Sequence, residues 1–292
     1  MTLLNPLFTR QERVSEMAEI TAAMVKSLRE RSGLPMMDCK QALSEAKGDE
    51  EAALELLRKR GATAAAKKAD RATSEGRIGG FVDLAQGVGA LVEVLCETAP
   101  VANNPEFRAM AARIAKHAAL GGCTDAAKIL TEPCADDPKV TVQEVIHDTL
   151  NRLRENIRLG RIVRETGKVA TYVHHTGKLG VLLVVEGNAD NTELLNDVCM
   201  HIAAMRPDAV RREEMPAEVV AKEEEIAREQ IRASGKPENL VDKILKGKMD
   251  KYFAETVLAE QAFVKDDKKT VGQVLKSAGL NVVKFARITV GG

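Results

Sequence analysis

Two stretches of this chain repeat each other, and that repeat narrows the folds open to it. Gly76-Arg-Ile-Gly-Gly-Phe-Val-Asp aligns with Gly167-Lys-Val-Ala-Thr-Tyr-Val-His, and the same offset pairs Gly89-Ala-Leu-Val-Glu-Val with Gly180-Val-Leu-Leu-Val-Val. Each copy is dense in apolar residues around a turn signal, Gly87 in the first and Gly177-Lys178 in the second, and reads as a β-hairpin. A helix-period stretch follows each: Phe107, Met110, Ala111, Ile114 and Ala118 in one copy, Leu194, Leu195, Val198, Ile202 and Met205 in the other. Hairpin plus helix, twice, predicts two related α+β subdomains with helices on one face of an antiparallel sheet. Two copies are too few for a solenoid.

Ahead of the repeat lie three short helix signals. Ile20, Met24 and Leu28 recur every four residues and share a helix face. Gly33 supplies a stop, and Pro35 suits the first turn of the next helix, where its missing N–H costs little. Leu43 and Ala46 continue that helix to Gly48. Asp49 is a good N-cap, with Glu50 and Glu51 placed to meet the helix dipole. Ala53, Leu56 and Leu57 form a third stripe that Gly61 is expected to stop. The prediction is a thin three-helix bundle over residues 17–61 and an Ala/Lys-rich linker, helical or flexible, over 62–75. Met36 and Met37 stand at the second helix's entrance. Adjacent residues cannot both point into so small a core, so at least one is exposed. Flexible thioethers suit a partner surface or gaps between helices alike.

Further along, Gly121–Lys139 reads as a loop and Thr141–Asn156 as a helix with Val142, Val145, Ile146, Leu150 and Leu153 inward. Asn156–Thr166 reads as a strand entering the second subdomain. Ala217–Lys251 is highly charged, with a narrow seam of Val219, Ile226 and Ile231, then Leu240, Ile244, Leu245 and Met249 after Ser234-Gly-Lys-Pro. Such a pattern predicts a protruding antiparallel helical hairpin. A short helix from Thr270 and a closing strand over Val282–Val290 return to the core. The expected domains are an extension (1–16), the bundle (17–61), a linker (62–75), a first core subdomain (76–156), a second (157–216 and 259–292), and the inserted hairpin (217–258).

Composition excludes several functions. Lys plus Arg and Asp plus Glu both number 43 in 292 residues, so no net cationic surface favours nucleic acid, and without Trp few stacking platforms exist. Five scattered Cys form no metal spacing or disulfide framework and fit reduced thiols in a cytosol. No apolar run approaches the roughly 20 residues of a membrane helix. Residues 1–16 lack a signal-peptide core and carry Glu12 and Glu16; they read as an extension, or as an early start before Met17. No phosphate-binding loop, dinucleotide fingerprint or hydrolase motif occurs, so the chain is expected to bind no nucleotide, metal or cofactor alone and not to be an enzyme. His174-His175, read as strand neighbours, would point to opposite faces. Cys199 and His201, two apart on a helix, make a poor catalytic dyad, and a cleft at Cys96 and Cys199 is a remote alternative.

One segment carries a resemblance. Arg29-Glu-Arg-Ser-Gly-Leu-Pro-Met-Met-Asp-Cys-Lys-Gln-Ala-Leu matches the R-x-x-T/S-G-x-x-M-M-D-C-K-x-A-L pattern of bacterial translation elongation factor Ts, and the likeness extends from Met17 to about Val290. It implies a ubiquitin-associated-like bundle, a duplicated core and a projecting coiled-coil hairpin whose tip is Ser234-Gly-Lys-Pro. Some family members carry a further carboxy-terminal helix, and this sequence ends at Gly292. It also implies a cytoplasmic guanine-nucleotide exchange factor whose partner is the GDP-bound GTPase elongation factor Tu, without direct contact to nucleic acid or membrane. By resemblance, Leu28, Arg29, Met36 and Met37 face the GTPase domain. Leu153 and Arg154 lie in Leu153-Arg-Glu-Asn-Ile, where the family has I-G-E-N-I, and His201 lies in Met200-His-Ile-Ala-Ala; these are expected to face a distal partner domain. The family's C-x-T-D-F-V-A turn, which dislodges the partner's magnesium, reads here as Cys96-Glu-Thr-Ala-Pro-Val-Ala. Thr98, Ala99, Pro100 and Val101 thus occupy the intruding position without its acid or aromatic ring. Pro100 is expected to stiffen the turn and hold Ala99 extended. A binding or chaperone-like partner of the same GTPase, without exchange, is the alternative.

Overall fold

The computed structural model of the chain describes residues 20–187, 191–235 and 237–292. The extension at 1–16, Met17 and Lys236 of the hairpin turn lie outside the described residues. The chain divides into two compact units, described residues 20–71 with 146–156, and 72–145 with 157–292.

The first unit opens with α1 (Ala22–Ser32), α2 (Met36–Glu45) and α3 (Glu50–Lys68). Thr21 accepts from Met24 N–H, Gly33 closes α1 at φ 69°, and Asp49 accepts from the N–H groups of Glu51 and Ala52. Val25, Leu28, Cys39, Ala42, Leu43, Ala53 and Leu57 form the core, with Ile20 and Met24 half-buried at its edge. Gly61 was expected to end α3 but does not: the helix runs on to Lys68 through an alanine-rich stretch that favours helix. The glycine serves close packing instead. A Cβ there would lie 1.9 Å from Asn151 Nδ2, so residues 146–156 join this unit rather than the core subdomain expected for them.

In the second unit, β1 (Glu75–Asp83) and β2 (Val88–Cys96) form the first hairpin; α4 (Ala99–Ala102) and α5 (Pro105–Gly121) follow. The expected loop contains α6 (Ala126–Ile129), β3 (Pro133–Cys134) and β4 (Asp137–Thr141), and leads into α7 (Val142–Leu153). Next come β5 (Ile157–Thr166), β6 (Lys168–Val173), β7 (Leu179–Gly187) and α8 (Thr192–Met205). The charged hairpin is α9 (Ala217–Ala233) and α10 (Glu238–Thr256), and β8 (Ala262–Phe263), β9 (Asp266–Thr270), α11 (Val271–Ser277) and β10 (Leu280–Thr289) close the chain. Two antiparallel three-stranded sheets result, ordered β1-β2-β5 and β10-β7-β6. The strand expected to enter the second subdomain, β5, therefore completes the first sheet, pairing with β2. Ile78, Leu91, Val169, Leu182, Val184 and Ile288 pack between the sheets. Helices α5 and α8 cover β1/β2 and β6/β7, which leaves the central strands β2 and β7 buried along most of their length.

The hairpin's seam holds Ile231, Ile244, Leu245 and Met249 as expected, but takes Val220, Ala227 and Val241 in place of the expected Val219, Ile226 and Leu240. Ala227, Ile231, Val241, Leu245 and Met249 are buried with Val220 at the margin, while Val219, Ile226 and Leu240 are exposed. A small Ala at the contact lets two helices approach, and the larger Ile226 is turned outward.

A second repeat lies beneath the first. His117 on α5 accepts from Ala135 N–H at Nδ1 (3.1 Å) and meets Glu132 at Nε2 (2.9 Å). His201 on α8 accepts from Val264 N–H at Nδ1 (3.2 Å) and meets Gln261 Oε1 at Nε2 (2.9 Å). Val142 N–H donates to Glu132 O as Val271 N–H does to Gln261 O. Four residues before each histidine stands one half of an ion pair, Arg113 with Asp136 (2.9 Å) and Asp197 with Lys265 (2.6 Å), the same joint with reversed polarity.

Candidate functional site

In the first unit, the turn Ser32–Pro35 fixes where α2 begins. Leu34 N–H donates to Ser32 Oγ (3.3 Å), and the Cys39 thiol sits between Ser32 Oγ and Leu34 O. Leu28, fully buried, lies beneath this turn, so it supports the surface rather than forming it. Arg29 is exposed on the last turn of α1. Met36 and Met37 are 52% and 73% exposed, so both thioethers face solvent. The next residue, Asp38, pairs with Arg154 Nη2 at 2.5 Å.

Arg154 stands one residue beyond α7 with φ 64°, in the left-handed region that favours glycine. Its N–H donates to Leu150 O, and its carbonyl accepts from Lys68 Nζ (2.8 Å). Asn156 Nδ2 donates to the carbonyls of Ala69 and Arg71, which holds the end of this segment to the α3 exit. Leu153 is half-buried. The structure thus brings Met36, Met37, Asp38 and Arg154 together at one end of α2, a grouping not visible in the spacing of those residues.

In the second unit, Thr98–Val101 does not form an extended wedge. Ala99 opens the helical turn α4 with Pro100 as its second residue, contrary to the expectation that Pro100 would hold Ala99 extended. A proline in a helix's first turn gives up an N–H that has no intrahelical acceptor, so the turn tolerates it. Asn103 Nδ2 and N–H both donate to Ala99 O, and Cys96 Sγ donates to Thr98 O (3.3 Å). Asn104 accepts from Glu106 N–H and starts α5 before Pro105. Thr98 and Pro100 are exposed, Ala99 and Val101 half-buried, and Ala102 buried. The turn presents a proline ring where the resemblance implies an acid and an aromatic.

His201 has no exposed surface. Burial holds its pKa below the ordinary imidazole value, against the opposing hydrogen bond to Gln261. Gln261 Nε2 in turn donates to Glu255 O and Met205 O. A neutral ring with both nitrogens occupied cannot touch a partner through its side chain, a correction to its expected place on the surface. It fixes the turn at Val264 instead, and Val264 and Met205 above it are exposed.

The thiol chemistry considered above is unsupported. Burial pushes the Cys199 thiol up to about 12, so it is no nucleophile at neutral pH. His174 and His175 lie in the β6–β7 turn rather than a strand, with ring centroids 4.1 Å apart. Among the described residues, no group of three or more His, Cys, Asp or Glu could hold a metal ion. No helix of the described residues is long and apolar enough to cross a membrane. A cleft of about 990 Å³ lies between the β1–β2 turn, the β5–β6 corner and the start of α8, and it contains none of the expected site residues.

Comparison with known proteins agrees with the architecture. The family model described as Elongation factor TS matches residues 97–292. Elongation factor Ts of Aquifex aeolicus is 44% identical over 280 residues, covering 92% of this chain and 97% of that protein. Its counterpart from Acidothermus cellulolyticus is 44% identical over 281 residues, covering 94% and 99%. That of Methylococcus capsulatus is 42% identical over 277 residues, covering 93% and 92%.

Proposed function

The chain belongs to the elongation factor Ts family, and from that premise we propose that it is a cytoplasmic guanine-nucleotide exchange factor for elongation factor Tu. It binds the GDP-bound GTPase, loosens the partner's magnesium and phosphate contacts, and so lets GDP leave and GTP enter. No covalent bond is made or broken, so the chain is not an enzyme in the chemical sense. The observation that carries this reading is the exposed Met36–Met37 pair beside the Asp38–Arg154 bridge. Two apolar side chains held outward on a braced helix end, with charges alongside, suit a protein surface.

Within this reading Arg29, Met36, Met37 and Arg154 touch the partner. Leu28 and Leu153 hold the helices under them, and His201 positions the Val264 turn. The Thr98–Val101 turn approaches the nucleotide site and displaces a partner element by the bulk of Pro100. Ala99 and Pro100 also favour the second reading, a partner that binds without exchange, because neither supplies a carboxylate or a ring.

Release of fluorescent GDP from the cognate GTPase separates the two. Exchange predicts that stoichiometric chain speeds release by orders of magnitude, and that Ala99→Asp with Pro100→Phe changes the rate while complex formation persists. A complex that leaves release at its spontaneous rate selects the second reading.

A further inference from the structure

The hairpin α9–α10 contains a glycine that the fold does not explain. Gly247 stands in the middle of α10, with its φ outside the left-handed region. A Cβ added there would meet no atom within 4 Å, so neither backbone conformation nor close packing requires glycine. Glycine weakens a helix interior, because it leaves more freedom to the unhelical chain than alanine does.

Its position coincides with a change in how the hairpin is held. Toward the core, Arg212 grips α10: its guanidinium pairs with Asp250 (2.9 Å) and Glu260 and lies 4.4 Å from the Phe253 ring. Asp208 N–H donates to Thr256 O, Leu258 N–H donates to Ala209 O, and Val257 is buried with Ala209 and Met215. Toward the tip, a narrow seam of Ala227, Ile231, Val241 and Leu245, joined at the base by Met249, is flanked by exposed ion pairs, Arg228–Asp242 (2.9 Å) and Arg232–Glu238 (3.2 Å). Exposed pairs add little stability. The antiparallel register of those two pairs places Glu223 opposite Gly247, at the start of the run Glu223-Glu224-Glu225. Gly247 itself is exposed on the solvent side of α10, between Lys246 and Lys248.

The geometry points to Gly247 as a hinge: the distal arm, residues 224–233 and 238–246, swings about it relative to the anchored base, residues 248–256. This holds whatever partner the chain binds.

Residual dipolar couplings of backbone amides in the full chain, weakly aligned, test it. The arm is expected to show a smaller alignment amplitude than the base, and Gly247→Ala, which fits the open space, to raise the arm to the base's amplitude. The same variant should slow amide exchange in 238–246 about two- to five-fold, equivalent to about 0.5–1 kcal/mol, and leave 248–256 unchanged. The hinge is overturned if arm and base share one amplitude in the unaltered chain. It is also overturned if Gly247→Ala leaves the arm's amplitude low, or slows exchange equally in both halves.

Discussion

Arg154→Gly is the substitution whose effect the structure constrains most closely, because two opposing contributions meet at one residue. At φ 64° an L side chain is crowded against its own backbone, and relief of that crowding is worth about 1–2 kcal/mol. Glycine also frees the unfolded chain, which takes back about 0.4–1 kcal/mol. The lost bridge to Asp38 joins side chains 55% and 40% exposed, and such pairs are worth about 0.2–1 kcal/mol. The sum for Arg154→Gly alone is close to zero. In an Asp38→Ala background the bridge is already gone, and the same change should stabilise by about 0.8 kcal/mol. Urea unfolding of the four proteins of the cycle, followed by amide exchange in α2 and in residues 146–156, reads both the sum and the coupling. Marked destabilisation by Arg154→Gly in the Asp38→Ala background would refute the argument that this position is strained.

Met36→Ala with Met37→Ala should change unfolding free energy by no more than about 0.5 kcal/mol, since both side chains are exposed, yet weaken partner binding at least ten-fold in calorimetry; a large stability loss with intact binding would place them in the core. Glu93 gives a pH dependence. Burial pushes its pKa up, but hydrogen bonds from the Arg161 side chain and from the N–H groups of Gly291 and Arg161 outweigh this and hold it below the usual carboxylate value. Its contribution is therefore present above the unfolded-state pKa and is lost as pH falls through the folded one. Glu93→Gln should destabilise by about 1–3 kcal/mol at pH 7, with the gap to the unaltered chain closing in acid; a gap constant with pH would contradict the pairing.

Much of the architecture was legible because it rests on local chemistry. The stop at Gly33 and the cap at Asp49, the two β-hairpins and the charged helical hairpin all announce themselves in short stretches. What failed depended on distant partners. Gly61 looks like a terminator until Asn151 is seen resting on it, and β5 belongs to the first sheet because its partner β2 is far off in sequence. Part of the hairpin seam slipped by one residue, from Ile226 to Ala227 among others, because Ala227 contributes through smallness, which apolar periodicity undervalues. The buried histidine joints were missed because His117 and His201 each meet a different residue type. One signal was available: Thr141 and Thr270 each precede an acid or amide by three residues, and each pair is hydrogen-bonded at a helix entrance. Exposure of one methionine at α2 was expected and both prove exposed, whereas Arg154 joins them only through Asp38.

The central claim is that this chain and guanine nucleotide oppose each other on a shared partner. Its most direct measurement is the affinity of the chain for elongation factor Tu, free and saturated with magnesium and GDP, beside the affinity of the GTPase for GDP with and without the chain. Reciprocal coupling predicts that the two ratios agree and that both are well above one. Affinity for the partner that is indifferent to bound GDP would contradict it.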